Sequence, residues 1–172
     1  MFDPTVFDNL KVAIENEVYD LDNLTGQIAV TNRMDRLELA LMSRHFALEF
    51  KQTGLNSDVL AEVYLEASLK DLAAEILEMT GEQPGCTLQV RFYMLHPDMP
   101  ARCELISRII EEVWQPEVEP LQTISYNYGS EPKLYSNTIT VNFPSRINED
   151  QMEDLSRLIG HVVKTLGRLN SI

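Results

Sequence analysis

The sequence predicts a single α+β domain over residues 1–172, in which helices pack on a mainly antiparallel sheet. Apolar residues recur with helical spacing near both ends of the chain and alternate with polar residues in several short segments between them. Gly and Pro turn signals separate these segments. Hydrophobic residues make up 44% of the chain and charged residues 24%, as in ordinary globular domains.

The first helix is predicted to begin at Asp3 and Pro4, which suit the N-cap position and the first helical position. We expect it to end near Tyr19, before the turn signal Thr25-Gly26. Its apolar face has the spacing of an amphipathic helix and comprises Phe7, Leu10, Ile14 and Val18.

A short meander of two or three strands, ending near Gly54, is predicted next. It begins at Ile28, and the polar segment Asn32–Arg36 is interpreted as a turn. The apolar residues then change from odd positions (37, 39 and 41) to even positions (46, 48 and 50). A continuous strand cannot change face in this way, so we predict a bulge or a turn at Ser43–His45.

Residues 56–79 fit two interpretations. As one long helix, which we favour, the segment has an apolar stripe, good helix formers and Gly81 after its end. In the alternative, residues 59–65 form a strand, and Ser68 with Asp71 caps a shorter helix.

The second half of the chain begins with a strand over Thr87–Leu95, whose even-numbered residues share an apolar face. A helix follows, with Pro100 at its first position and Pro116 ending it. A hairpin is predicted from residues 122–128 and 135–143 around Gly129–Lys133.

Asn148 is predicted to cap the last helix, which has the clearest amphipathic pattern in the chain. Its apolar stripe comprises Met152, Leu155, Leu158, Ile159, Val162, Val163 and Leu166. The predicted order is α-β-β(β)-α-β-α-β-β-α. A helix followed by strands and a second helix occurs twice in this order, which raises the hypothesis of pseudo-duplicated αββα halves. The last part fits a split-βαβ unit that lacks or borrows its final strand.

The formal net charge is −13, from 14 basic and 27 acidic residues. Such a chain repels phosphate backbones, so we expect no nucleic-acid partner. No apolar run approaches the ~18 residues of a membrane helix, and no secretory signal is visible at the first residues, so we expect no membrane partner. Cys86 and Cys103 lack the spacing of a metal or redox motif, which favours reduced thiols in a cytoplasmic protein.

Acidic residues are concentrated in the predicted helices. Residues 1–24 contain six acidic residues and one lysine, and residues 53–82 contain seven and one, whereas residues 25–52 contain three acidic and four basic residues. Either the helices carry solvated charge that favours solubility, or an acidic helical surface selects a basic partner.

Motifs for catalysis or cofactors are missing from the sequence. It contains no glycine-rich nucleotide loop and no G-x-S-x-G motif, so we predict no cofactor and no catalytic residue. His96, Asp98, Cys103 and Glu104 are metal-binding residue types within nine positions, but two prolines interrupt them and no second His/Cys pair stands at ligand spacing. We interpret this stretch as a strand-to-helix turn with Cys103 buried, and predict no metal site.

Partner-binding residues are predicted at two places. Tyr126, Tyr128 and Tyr135 flank the hairpin turn, and tyrosines near a turn are typical of recognition surfaces, although they would equally cap the edge of the core. Glu75 and Glu78 lie on the acidic segment and would steer a basic partner.

The favoured hypothesis is therefore a non-enzymatic acidic protein-interaction domain: an adaptor, a regulator or a chaperone-like protein. The alternative is a small enzyme or ligand-binding domain with an unrecognised pocket that uses His96, Cys103 or Arg91. An antiparallel sheet with a free edge would also permit homodimerisation.

Overall fold

The computed structural model describes residues 5–115, 118 and 120–172. In these residues six strands form one antiparallel sheet in the order β1-β2-β3-β4-β6-β5. Their bounds are β1 Ile28–Glu38, β2 Ser43–Gln52, β3 Leu60–Ala67, β4 Thr87–His96, β5 Pro120–Tyr126 and β6 Tyr135–Asn142. The predicted α+β class and element order are confirmed.

The same described residues contain four α-helices. They are α1 Val6–Asp20, α2 Leu69–Ile76, α3 Met99–Trp114 and α4 Leu155–Leu169. A π-helical turn at Leu21–Thr25 extends α1, and a 3-10 helix at Glu149–Asp154 precedes α4.

Three helices end or begin close to the predicted positions. Thr5 is the N-cap of α1, forming a capping box with Asp8, while the predicted cap at Asp3 and Pro4 lies outside the described residues. Asn148 caps the 3-10 helix that leads into α4, as its residue type predicts. α3 ends at Trp114, and Pro116, predicted to end it, also lies outside the described residues.

The turn predicted at Asn32–Arg36 is wrong, because β1 continues through it. Arg33 and Asp35 face α1 and form ion pairs with it, so polar residues suit this part of the strand. A bulge between Val30 and Asn32 shifts the register. The chain reverses at residues 39–42, just before the predicted position, and this turn accounts for the change of apolar parity.

The single long helix predicted over residues 56–79 is also wrong, and the alternative of a strand and a shorter helix is correct. β3 pairs with β2 on one side and β4 on the other. Its odd-numbered residues from 61 to 67 are buried and its even-numbered residues are half-buried, the period of a strand. Two neighbouring strands thus outweigh the helix propensity of an Ala- and Glu-rich segment.

The second half of the sheet forms the predicted split-βαβ unit. β4 and β5 run parallel to each other, because each is antiparallel to β6, which lies between them. β3 pairs with the other side of β4 and so supplies the missing final strand. A helix followed by strands and a second helix does occur twice in the described chain. The first instance contains three strands and the second contains two.

The helices and one face of the sheet enclose a single core. The predicted apolar face of α1 is fully buried, and Ile106, Ile110, Ile159, Val162 and Leu166 bury the inner faces of α3 and α4. From the sheet, the core takes even-numbered residues of β2 and β4 and odd-numbered residues of β3 and β6. The remaining side chains of these strands, which alternate with the core residues, lie on the other face of the sheet.

Candidate interaction surfaces

Helix α2 begins with a capping box. The Ser68 side chain accepts a hydrogen bond from the Asp71 amide, and the Asp71 carboxylate accepts one from the Ser68 amide at 3.1 Å. Asp71 also forms an ion pair with Arg146, which in turn donates to the carbonyl oxygen of Gly85 at 2.7 Å. These contacts fix the start of α2 against the segments that flank β4 and β6.

Asp71 is a buried carboxylate that stays ionised. Its residue is only 5% exposed, and burial alone would raise the pKa of the carboxyl. The hydrogen bonds from Arg146 and Ser68 outweigh burial and hold the pKa below its ordinary value. The charge therefore anchors α2 from inside the protein.

The orientation of α2 is unusual, because its apolar stripe faces outward. Asp71 and Ala74 are its buried residues. The exposed side carries Leu69 at 52%, Ile76 at 71% and Leu77 at 69% exposure, followed by Met79 at 46%. We call these four residues, with the nearby Glu75, Glu78 and Glu82, the α2 patch. An apolar stripe with acidic neighbours is typical of a contact surface.

The structure separates the two predicted acidic residues of this patch. Glu75 accepts a hydrogen bond from the Val6 amide at 2.8 Å and so contacts the start of α1. Glu78 lies beyond the end of α2, is exposed, and has a left-handed backbone with φ of 47°. Of these two residues, only Glu78 is exposed and lies away from the contact with α1.

The three predicted tyrosines lie at the end of the β5–β6 hairpin but differ in exposure. Tyr126 and Tyr135 are register partners whose rings meet edge to face at 5.6 Å, and Lys133 lies 4.0 Å from the Tyr126 ring centre. Tyr135 is half-buried against the core, as in the alternative that the rings cap its edge. Tyr128 is 99% exposed.

One face of the sheet, which we call the open face, carries the side chains that point away from the core. It comprises odd-numbered residues of β2, β4 and β5 and even-numbered residues of β3, β6 and the end of β1. In the described residues α1, α3 and α4 contribute buried side chains to the core on the opposite side, and α2 packs against that core through the partly buried Leu72. Most open-face residues of the four central strands are nevertheless only half exposed, because neighbouring strands flank them.

Hydrogen bonds link the side chains of the open face into two groups. In the first, His45 Nδ1 lies 2.6 Å from the Tyr64 hydroxyl, which donates to Glu66 at 3.2 Å. In the second, Glu62 accepts from Arg91 at 3.0 Å and from Tyr93 at 3.1 Å. The Arg91 guanidinium also stacks 4.2 Å from the Tyr64 ring centre and joins the groups.

Internal ion pairs neutralise part of the predicted acidic helical surface. Asp8 pairs with Arg44 at 2.7 Å and Glu15 with Arg33 at 2.6 Å, which ties α1 to β1 and β2. Two of the seven acidic residues in 53–82, at positions 62 and 66, belong to β3 and lie on the open face. The remaining acidic charge of that segment is concentrated around α2.

The residues of the alternative enzyme hypothesis are dispersed. His96 Nδ1 accepts from the Asp98 amide at 3.0 Å, Cys103 Sγ contacts the Met99 carbonyl oxygen, and Arg91 lies on the open face. Cys103 is partly exposed rather than buried as predicted. In the described part of the chain, no cluster of three or more His, Cys, Asp or Glu side chains could hold a metal ion.

A surface pocket of about 450 Å³ opens beside Trp114, between the ends of α3 and β6 and the first turns of α4. Phe143, Leu158, His161 and Arg157 line it. The Trp114 ring meets the His161 ring nearly edge-on at 5.5 Å, and its Nε1 donates to the Thr165 hydroxyl at 3.0 Å. Burial, then the positive charges of Arg157 and Lys164, lower the pKa of His161.

Sequence reasoning missed two of these surfaces. The favoured interpretation of residues 56–79 as one helix hides the open face, although Glu62, Tyr64 and Glu66 alternate with apolar residues. The α2 patch was hidden for the same reason. The pair Ser68 and Asp71 was the signal that marks where the strand ends and the helix begins.

No protein-family model matches the chain, and no curated protein or solved structure is detectably similar to it. No helix among residues 5–115, 118 and 120–172 combines the length and apolar character needed to cross a bilayer.

Proposed function

We propose that this chain is a non-enzymatic protein-interaction domain whose α2 patch binds a segment of another protein. The observation that supports it is the outward apolar stripe of α2. Asp71 and Ala74 face the protein while Ile76 and Leu77 remain 71% and 69% exposed. Covering apolar surface contributes roughly 25 cal/mol per Å², so a partner that covers this stripe gains directly.

The chemistry of the patch favours a segment that carries both apolar and basic side chains. Glu75, Glu78 and Glu82 flank the apolar stripe, and Lys70 pairs with Glu82 at 3.3 Å. Charges at the rim of an interface attract an oppositely charged partner and repel acidic ones. The exposed Tyr128 at the β5–β6 hairpin is proposed as a separate, aromatic contact.

A reducing, cytoplasmic location is part of the proposal. Cys86 and Cys103 are both free thiols. Burial, followed by the nearby Asp71 carboxylate, raises the pKa of Cys86 to about 12 and keeps the thiol protonated.

The experiment is capture from native lysate with the wild type and two matched double variants, followed by mass spectrometry. Ile76→Ser with Leu77→Ser removes the α2 stripe. Leu39→Ser with Leu41→Ser removes two residues of similar exposure, 71% and 68%, at the β1–β2 turn. We expect the α2 variant to lose a partner that the turn variant keeps.

Cross-linking should then map the captured segment to a sequence in which Lys or Arg alternates with apolar residues, and raising the salt concentration should weaken capture. The same set of partners with the wild type and the α2 variant would contradict the proposal. So would a contact segment that is acidic.

A second candidate function is supported by the pocket beside Trp114. Its volume of about 450 Å³ is within the range of small-molecule sites, and aromatic and apolar side chains line it next to Arg157. Asp154 also lines the pocket and already pairs with Arg157 at 3.0 Å, so this arrangement suits a small, mainly apolar ligand. Titration with such compounds, read from the fluorescence of the one tryptophan, tests it.

A further inference from the structure

The open face differs in charge from the rest of this strongly acidic chain. Across β1 to β4 it carries four acidic residues, Glu38, Glu49, Glu62 and Glu66, and three permanently basic ones, Arg36, Lys51 and Arg91. The whole chain has a net charge of −13. Two copies that approach through their acidic helices repel each other, whereas each open face carries an excess of only one acidic residue to oppose contact.

Three charges of this face, those of Glu62, Glu66 and Arg91, already have partners within the chain. Glu62 accepts hydrogen bonds from Arg91 and Tyr93, and Glu66 accepts one from Tyr64. Covering a charge is costly when it leaves that charge unpaired. Because these groups remain paired, a second surface can cover them at a smaller cost.

Symmetry then selects one arrangement of two open faces. Glu62 of β3 lies directly beside Arg91 of β4 in the sheet register, and these strands are the central pair of the sheet. A two-fold axis that runs parallel to the strands, between β3 and β4, places β3 over β4 of a second copy. Glu62 then faces Arg91 of the second copy, twice. An axis across the strands would instead place Glu62 over Glu62.

The area of the face is sufficient for a specific contact. The four central strands lie about 4.8 Å apart, and eight residues of each strand rise by about 3.3 Å per residue. Together they span about 500 Å². Two such faces bury about 1,000 Å², the size that a biological protein–protein interface should reach. Edge pairing is disfavoured, because β1 has a bulge and β5 begins with Pro120.

We propose that two copies of this chain pack back to back through their open faces, with Glu62 of each copy against Arg91 of the other. The interface is independent of the α2 patch, which lies outside it and stays available for another protein. Failure of either proposal leaves the other unaffected.

Charge exchange between copies tests this arrangement, with sedimentation or light scattering to measure mass against the chain mass of 19.7 kDa. We expect the wild type to be a dimer at micromolar concentration. Glu62→Arg and Arg91→Glu should each shift the equilibrium towards monomer by at least tenfold, because each places like charges together across the interface. An equimolar mixture of the two variants should form a heterodimer, since each pair again has opposite signs.

The double variant, Glu62→Arg with Arg91→Glu in one chain, should dimerise like the wild type because it keeps both the internal pair and the pair between copies. Three results would overturn the proposal: a monomeric wild type, single variants that dimerise unchanged, or a mixture of monomeric single variants that stays monomeric.

Circular dichroism checks the fold of each variant. If a single variant does not fold, Thr138→Arg adds a charge on β6 without breaking the internal pair. It should weaken the dimer at least tenfold, and unchanged dimerisation would overturn the proposal.

Discussion

The Glu75 carboxylate accepts a hydrogen bond from the Val6 backbone amide across 2.8 Å, which joins α2 to the first turn of α1. The first amides of a helix have no partner within it, and a negative charge there is also favoured by the helix dipole. Glu75 therefore stabilises the fold, whereas Glu78 lies past the end of α2 and contributes charge to the surface.

Replacing these two residues should separate the roles. Glu75→Ala should lower the free energy of unfolding by about 1 kcal/mol, because it removes the cap of the Val6 amide. Glu78→Ala should change it by less than about 0.5 kcal/mol, as is usual for exposed surface positions. Urea unfolding measures both, and equal losses would mean that the Val6 contact does not stabilise the protein.

Asp71 should make stability depend on pH in the acid range. Its pKa in the folded protein is below the ordinary 3.8, because hydrogen bonds from Arg146 and Ser68 outweigh the effect of burial. As the pH falls below 3.8, the unfolded chain takes up this proton before the folded protein does, so the stabilisation is present above that pH and is lost as the pH passes through the folded pKa.

Asp71→Asn removes this titrating group. We expect the variant to be less stable at pH 7 by roughly 2 kcal/mol, the order found when a hydrogen bond to a charged group is lost. Its stability should then fall less steeply with acid than that of the wild type. Asp8 and Asp35 also have lowered pKa values and contribute to the wild-type slope. The effect of Asp71 is therefore the difference between the acid curves of the wild type and the variant. Parallel acid curves would show that Asp71 is not held ionised.

Helices could be located from the sequence wherever one side of the element alone meets the core. The stripe of α1 recurs every three or four residues, and each of its members is buried. The single helix predicted over residues 56–79 is wrong because Ala61 and Leu65 satisfy the helical period and the strand period at once. Only pairing with β2 and β4, which are distant in sequence, decides between them. The open face and the outward stripe of α2 depend on that decision, so the local pattern offers them only within one of two competing interpretations.

The most destabilising position in α4 should be Ile159 rather than its neighbour Leu158, although both belong to the predicted stripe. Ile159 is 1% exposed, whereas Leu158 is partly exposed and lines the pocket beside Trp114. Ile159→Ala should cost about 3 kcal/mol, as for other buried aliphatic residues, and Leu158→Ala less than half of that. Thermal melts of the two variants test this; a larger loss for Leu158→Ala would mean that the pocket wall is part of the core.

The tyrosine hairpin should divide into a structural and an exposed residue. Tyr135 packs on the core and on Tyr126, so Tyr135→Ala should destabilise the protein, whereas Tyr128 is 99% exposed and its replacement should leave the melting temperature unchanged. If a partner contacts the hairpin, Tyr128→Ala should make it dissociate faster, since desolvated aromatic contacts set how slowly a complex separates. Surface plasmon resonance with a captured partner measures this. Unchanged kinetics would remove Tyr128 from the interface.

His161 should report its own protonation through Trp114. The two rings are 5.5 Å apart, the chain has one tryptophan, and a protonated imidazole quenches indole fluorescence more strongly than a neutral one. Burial, followed by Arg157 and Lys164, lowers the pKa of His161 below its ordinary 6.5. Fluorescence should therefore decrease on acidification with a midpoint below pH 6.5, and His161→Gln should abolish the step while His45→Gln preserves it.

The same shift affects stability with a definite sign. As the pH falls below 6.5, the unfolded chain gains the His161 proton first, so the folded protein loses stability between 6.5 and the lower folded pKa and no further below it. In His161→Gln this part of the pH dependence should disappear. Arg157→Gln should move the fluorescence midpoint upward, because it removes a positive charge from beside the ring. A midpoint at or above 6.5 in the wild type would show that solvent reaches the imidazole freely and that the pocket beside Trp114 is not a desolvated site.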